Sequence, residues 1–224
     1  RVLDEFPTCF EMLRNSMRNI ILDIEKFKSQ KNLLWSDVFW KEFIAKVRDL
    51  DKPESLWDFK KTFEMWHIPS GKNDRVKAEK ELQFAEEIAS IANSTGGVLL
   101  VGITDCPPRQ TEGIGDDITD LERKLKYTRD VSRNYLVYPR EILHFQLVNV
   151  KNSDGVLKNC LVIAIKQTCE TVSVKDKDGR FTYPIRQETG LSRVDNGYIW
   201  GQKIHLKSDN FDFIAVFNQM LHDK

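Results

Sequence analysis

Along the first fifty positions, apolar residues recur at three- and four-residue steps, the period of a helix with one buried face. Phe10, Leu13, Met17, Ile20, Ile21, Ile24 and Phe27 predict a helix over residues 8–29, with Thr8 as its candidate cap. Val38, Phe39, Phe43, Ile44 and Val47 predict a second, from Ser36 to about Leu50, where the Ser36 hydroxyl can satisfy early unpaired amides. Asp51-Lys52-Pro53 ends it, because the proline ring pushes the preceding residue out of helical geometry.

The pattern then changes. Leu56–Phe63 reads as a strand, and Pro69 and Gly71 break the chain in a loop over 68–73. Leu82, Ala85, Ile88, Ala89 and Ala92 form one buried stripe on a helix from Asp74 to Asn93. Ser94-Thr95-Gly96-Gly97 turns into Val98–Ile103, an unbroken apolar run typical of a central strand covered on both faces. A polar loop with two prolines leads to a helix from Asp117 to Tyr135. The last third alternates: Leu143–Val150, the turn Ser153-Asp154-Gly155, and the returning strand Leu157–Lys166. Thr171–Lys175 and Phe181–Ile185 predict another hairpin across Asp176-Lys177-Asp178-Gly179, and Phe211–His222 a closing helix. The order predicts an α+β fold: a mixed β-sheet core with packed helices (51–195), an N-terminal helical arm (1–50) and a C-terminal tail (196–224).

Composition narrows the function classes. The 224 residues are 41% hydrophobic and 30% charged, the balance of a soluble globular chain. Thirty-four basic residues meet 34 acidic ones, so bulk charge attracts neither polyanions nor membranes and only a local patch can. Cys9, Cys106, Cys160 and Cys169 show neither CxxC pairing nor a histidine at zinc-ligand spacing; thiols in a reducing cytosol are expected, and we read the chain as cytoplasmic. No apolar run approaches the roughly 18 residues of a membrane span. His67, His144, His205 and His222 are scattered, no Walker-type loop is present, and the five tryptophans read as core or interface anchors. The chain begins with Arg1 rather than Met, and further domains are expected beyond it.

Three segments carry a resemblance: Trp57-Asp58-Phe59-Lys60; the run from Ile91 through Gly96-Gly97 to Thr104-Asp105, followed by Gly113; and Tyr183-Pro184-Ile185-Arg186 with Gly190 and Ser192. In this order they resemble the Schlafen-type AlbA-like (AlbA_2) domain family over residues 51–195. The resemblance implies a nucleic-acid-binding module for DNA or RNA, regulatory or defence-related. In animal Schlafens it implies a metal-assisted RNA endonuclease with three carboxylates. Carried over, the second of these falls on Asp58 and the third on Asp105, while the first falls on Pro53, with Glu54 one residue out of register.

Physically, such a nuclease needs oxygen ligands for Mg²⁺ or Mn²⁺, which polarises phosphate and activates water. Asp58 and Asp105 are the candidate metal ligands, Glu54 a candidate third acid, and Lys60 a catalytic candidate on the same strand face as Asp58. The alternative, which the out-of-register first acid favours, is that Asp58 and Lys60 form a structural ion pair. Basic residues offer a binding alternative. Arg123, Lys124, Lys126, Arg129, Arg133 and Arg140 fall in one stretch whose only acid is Asp130, with Tyr127, Tyr135 and Tyr138 interleaved. Such a helix can neutralise phosphates while tyrosines stack on bases, or it is a solvated face with tyrosines packed inward. Lys175, Lys177 and Arg180 form a second basic group at the hairpin turn. Arg186 either pairs with an internal acid such as Asp105 or contacts phosphate. A homodimer through the apolar stripes of the N-terminal helices is the non-nucleic-acid alternative.

Overall fold

The computed structural model describes residues 36–48, 57–69, 71, 74–137, 142–168, 171–187 and 190–194. The helices expected over 8–29 and 211–222 lie outside these residues, as do Glu54, Tyr138, Arg140, Cys9 and Cys169. By its contacts the chain divides into two units, residues 1–39 and 40–224. Helix α1 (Asp37–Val47) starts in the last residues of the first unit, where the Phe39 N–H donates to the Ser36 hydroxyl at 3.3 Å. In the second unit Trp40 and Phe43 meet edge to face, and Phe43 meets Trp57 in the same way.

Strand β1 (Trp57–Lys60) is parallel to β2 (Gly97–Val101), and the two are joined by a one-turn 3-10 helix (Glu64–His67) and helix α2 (Asp74–Asn93). Helix α3 (Ile118–Tyr135) follows, with the Asp117 carboxylate accepting the Thr119 N–H at 3.2 Å as an N-cap. It runs directly into β3 (Leu136–Val137). Strands β4 (Leu143–Lys151) and β5 (Leu157–Ile165) form a long hairpin, and β5 is antiparallel to β2. The first sheet is therefore ordered β1-β2-β5-β4. Strands β6 (Ser173–Lys175), β7 (Phe181–Gln187) and β8 (Gly190–Val194) join β3 in a second, antiparallel sheet ordered β3-β6-β7-β8.

Every residue of β2 is buried, as its unbroken apolar run predicts. Its Leu99 and Val101 belong to one core cluster with Ala85, Ile88, Ala89 and Ala92 of α2, Leu161 and Ile163 of β5, Leu121 and Val131 of α3, and Val172 and Val174. Gly96 sits at φ +73°, and a side chain there would meet the Gln167 amide nitrogen at 2.6 Å and the Ile165 carbonyl at 2.9 Å. Only glycine makes this turn.

Polar residues at the end of α2 tie it to the second sheet. Asn93 donates from Nδ2 to the Val172 and Pro184 carbonyls at 2.7 and 2.8 Å and accepts the Val172 N–H at 2.8 Å. The Ser94 hydroxyl accepts the Arg186 N–H at 2.9 Å and donates to its carbonyl at 3.2 Å. The turn before the central strand thus also fixes the strand that carries Arg186.

The expected elements shift in three places. The first strand ends at Lys60 rather than Phe63, because Glu64–His67 closes a 3-10 turn that buries Met65. The central strand ends at Val101, and Ile103 is left in a single bridge to Thr111. The short strands β3 and β8 are additional to those read from the pattern. Among the described residues no helix is long and apolar enough to cross a membrane.

Candidate functional site

Alternation along β1 sends Asp58 and Lys60 to the same side, where Arg186 of β7 and Glu87 of α2 meet them. The Asp58 side chain is 7% exposed. Its Oδ1 accepts the Phe59 N–H at 2.9 Å, and its Oδ2 accepts from the Arg186 guanidinium at 3.0 Å. Lys60 Nζ stands 3.6 Å from that same oxygen and 2.8 Å from Glu87 Oε1. Burial works against the Lys60 charge, but Glu87 and Asp58 together hold its pKa above the ordinary value. Glu87 is pushed up by burial, with the Lys60 ammonium opposing the shift. Its neighbour Glu86, more deeply buried, is gripped by Arg193 of β8 through two bonds of 2.7 and 2.8 Å and accepts the Thr182 hydroxyl at 3.3 Å.

Asp105 is exposed beyond the end of β2. Its backbone carbonyl accepts Arg109 Nε at 3.1 Å, while Arg109 Nη1 donates to the Arg48 carbonyl at 3.0 Å. The same guanidinium lies 4.5 Å from the centre of the Phe59 ring. Arg186, expected against Asp105 or phosphate, pairs with Asp58.

These groups bear on the metal expectation. Mg²⁺ and Mn²⁺ are hard ions that take several oxygen ligands at about 2.0–2.6 Å. Among the described residues no three His, Cys, Asp or Glu side chains are grouped to hold a metal ion. Both Asp58 oxygens face nitrogen donors, and Glu87 faces Lys60. The described donor set does not fit such an ion, and Glu54 lies outside it.

The basic stretch on α3 divides by environment. Arg123, Lys126 and Arg133 are exposed. Arg123 pairs with Asp120 of the preceding turn, and Arg133 stands 3.7 Å from Asp130. Lys124 instead turns inward, 15% exposed, donating to the Ile114 carbonyl at 2.6 Å and to Asp120 at 2.8 Å. Arg129 lies 5.6 Å from the Phe145 ring centre. The tyrosines take the inward alternative: Tyr127 and Tyr135 both donate their hydroxyls to Glu81 of α2. Burial first, and then Glu81, pushes both phenols far above their ordinary pKa.

Lys175, Lys177 and Arg180 are exposed around the β6–β7 turn, which is closed by Asp176 accepting the Arg180 N–H at 2.8 Å. Phe181 beside them is 49% exposed, with Lys175 5.8 Å from its ring centre. The register Leu136↔Val174 carries Lys175 toward the last turn of α3.

The profile of the Schlafen AlbA_2 family matches residues 55–195. The chain belongs to the Schlafen AlbA_2 family. Among solved structures it is similar to the crystal structure of the DIP2311 protein from Corynebacterium diphtheriae, at 21% identity and a TM-score of 0.48. That likeness covers 78% of this chain and 32% of the other, so this chain spans about a third of that protein's length. No curated protein matches it.

Four charged groups of this AlbA_2 domain were not legible as site residues: Glu86, Glu87, Arg109 and Arg193. For the first two a signal existed. They interrupt an apolar stripe between Ala85 and Ile88, and an acid so placed needs a partner. Arg109 and Arg193 carry no local signal. Of the cysteines, Cys106 is exposed and Cys160 buried, its thiol pushed up to about 12 by burial, as expected of an inert core thiol.

Proposed function

We propose that this chain is a nucleic-acid-binding module that holds an RNA or DNA strand along the outer face of α3 and the β6–β7 hairpin. The pairing of β3 with β6 carries the reading, because it brings the end of α3 beside the strand that opens the basic hairpin, two elements 40 residues and more apart in sequence. Arg123, Lys126 and Arg133 supply phosphate contacts from the helix, and Lys175, Lys177 and Arg180 from the hairpin. Their ion pairs with Asp120 and Asp130 are solvent-facing and exchange readily for phosphate. Stacking along this face falls to the exposed Phe181 rather than to Tyr135, which is buried with its hydroxyl held by Glu81. Contacts of this kind read the backbone more than the sequence. The nitrogen donors around Asp58 favour binding over metal-assisted cleavage at that site.

Fluorescence anisotropy of labelled single-stranded RNA and DNA, taken across a salt series, tests the proposal. Changing Arg123, Lys126 and Arg133 together to alanine weakens binding by about tenfold or more. It also lowers the slope of log affinity against log salt by about 2, near 0.7 for each lost single-strand phosphate contact. Unchanged affinity and slope in a folded triple variant contradict it.

A further inference from the structure

A concavity of about 410 Å³ opens between the 3-10 turn, the start of α2 and the first half of α3. Trp66 and His67 line it from the turn, Lys77 from α2, and Arg123, Lys124 and Tyr127 from α3. Among the described residues lining it are three permanent cations and no carboxylate. None of the Asp58 network takes part.

The walls are fixed without any ligand. Trp66 donates its indole N–H to the Thr128 hydroxyl at 3.0 Å, and Tyr127 donates its hydroxyl to Glu81. Lys124 is tied to the Ile114 carbonyl and to Asp120. Each ring carries a cation near its face: Lys77 lies 4.8 Å from the Tyr127 ring centre, and Lys124 5.5 Å from that of Trp66. Among the described residues no carboxylate lies within ion-pair distance of Lys77, which lines the cavity beside the Tyr127 ring. Flat apolar surface and positive charge thus alternate around a space within the roughly 300–1,000 Å³ of small-molecule sites. A planar anion satisfies both: the plane lies against the rings and the charge on the ammonium and guanidinium groups.

We propose that this concavity binds a phosphorylated nucleotide, its base against Trp66 and Tyr127 and its phosphate on Lys77, Arg123 and Lys124. The preference for a planar anion comes from the walls alone; the choice of a nucleotide among planar anions rests on the nucleic-acid reading above. The phosphorylated nucleotide arrives either free or as the 5′ end of a strand, and both present the same base and phosphate.

Titration of ¹⁵N-labelled protein with adenosine monophosphate, followed on the tryptophan indole N–H signals, tests the site. The Trp66 signal shifts and saturates, and adenosine and inorganic phosphate each bind at least about tenfold more weakly, because each offers half the ligand. Lys77→Gln and Lys77→Glu weaken the nucleotide by about tenfold while melting at the wild-type temperature. A 5′-phosphorylated oligonucleotide that competes with the nucleotide better than its 5′-hydroxyl counterpart identifies a strand end as the ligand; equal competition identifies the free nucleotide. An unmoved Trp66 signal, or wild-type affinity in both Lys77 variants, overturns the proposal. Because Lys77 lies off α3, this result separates from the α3 test. Strand binding without nucleotide binding removes this site alone, and nucleotide binding without strand binding removes the α3 interface alone.

Discussion

Arg186 and Arg133 carry the same guanidinium, yet 16% of the first side chain and 75% of the second is exposed. Arg186 faces a buried carboxylate, Asp58, whose other oxygen is held by the backbone. Arg133 faces Asp130 at 3.7 Å on an open helix surface. In the first setting little water reaches the pair, so removing one partner leaves the other charge poorly solvated. In the second, water and ions replace either partner at little cost. The charges of Asp58 on β1 and Glu86 on α2 are therefore tied to arginines of the second sheet. Charge on α3 and the hairpin stays available to a ligand. A list of basic residues cannot separate these uses; depth does.

The comparison breaks most visibly at Asp58. Asp58→Ala leaves Arg186 without its carboxylate and costs about 3 kcal/mol of unfolding free energy in urea. A loss within 0.5 kcal/mol, as expected of an exposed pair, erases the distinction. Glu86→Ala has a smaller effect, about 1–2 kcal/mol, because Arg193 is largely exposed and regains water when its partner goes. A loss as large as that of Asp58→Ala means Arg193 is sealed in as Arg186 is.

Glu87 gives the smallest effect and sharpens the same contrast through pH. Burial raises its folded pKa above the ordinary 4.5, so between these two values the folded chain keeps a proton that the unfolded chain has lost. Its contribution to stability is thus full at low pH and falls as pH rises through that window. Urea unfolding of the wild type and of Glu87→Gln shows the wild type losing ground to the variant as pH rises above 4.5. A pH-independent difference means Glu87 is solvated like an α3 side chain.

The fold was legible where one face of an element is buried for its whole length. Helix α2 begins and ends where its stripe predicts, since Asp74 opens it and the Gly96 turn closes it. The β4–β5 hairpin and the buried β2 follow the same logic. Periodicity failed for short elements: Phe63 and Met65 alternate like strand residues, yet both are buried from a 3-10 turn. Strand β3 is two residues long and cannot show a period.

In the site, the shared face of Asp58 and Lys60 followed from spacing on one strand. Arg186 and Asp58 are 128 residues apart and Glu86 and Arg193 are 107 apart, so only the assembled sheets reveal either partner. The direction of Tyr127 and Tyr135 likewise depended on Glu81 of another helix.

Arg186 is the residue at which the two uses of charge meet, since its sequence position suited either an internal pair or a phosphate. Strand affinity of Arg186→Gln across a salt series, measured under conditions where circular dichroism shows the variant folded, decides between them. With the guanidinium committed to Asp58, affinity stays within about twofold of wild type and the salt slope is unchanged. A loss of about tenfold with the slope lowered by about 0.7 means that Arg186 holds a phosphate, and the division between inner and outer charge is wrong.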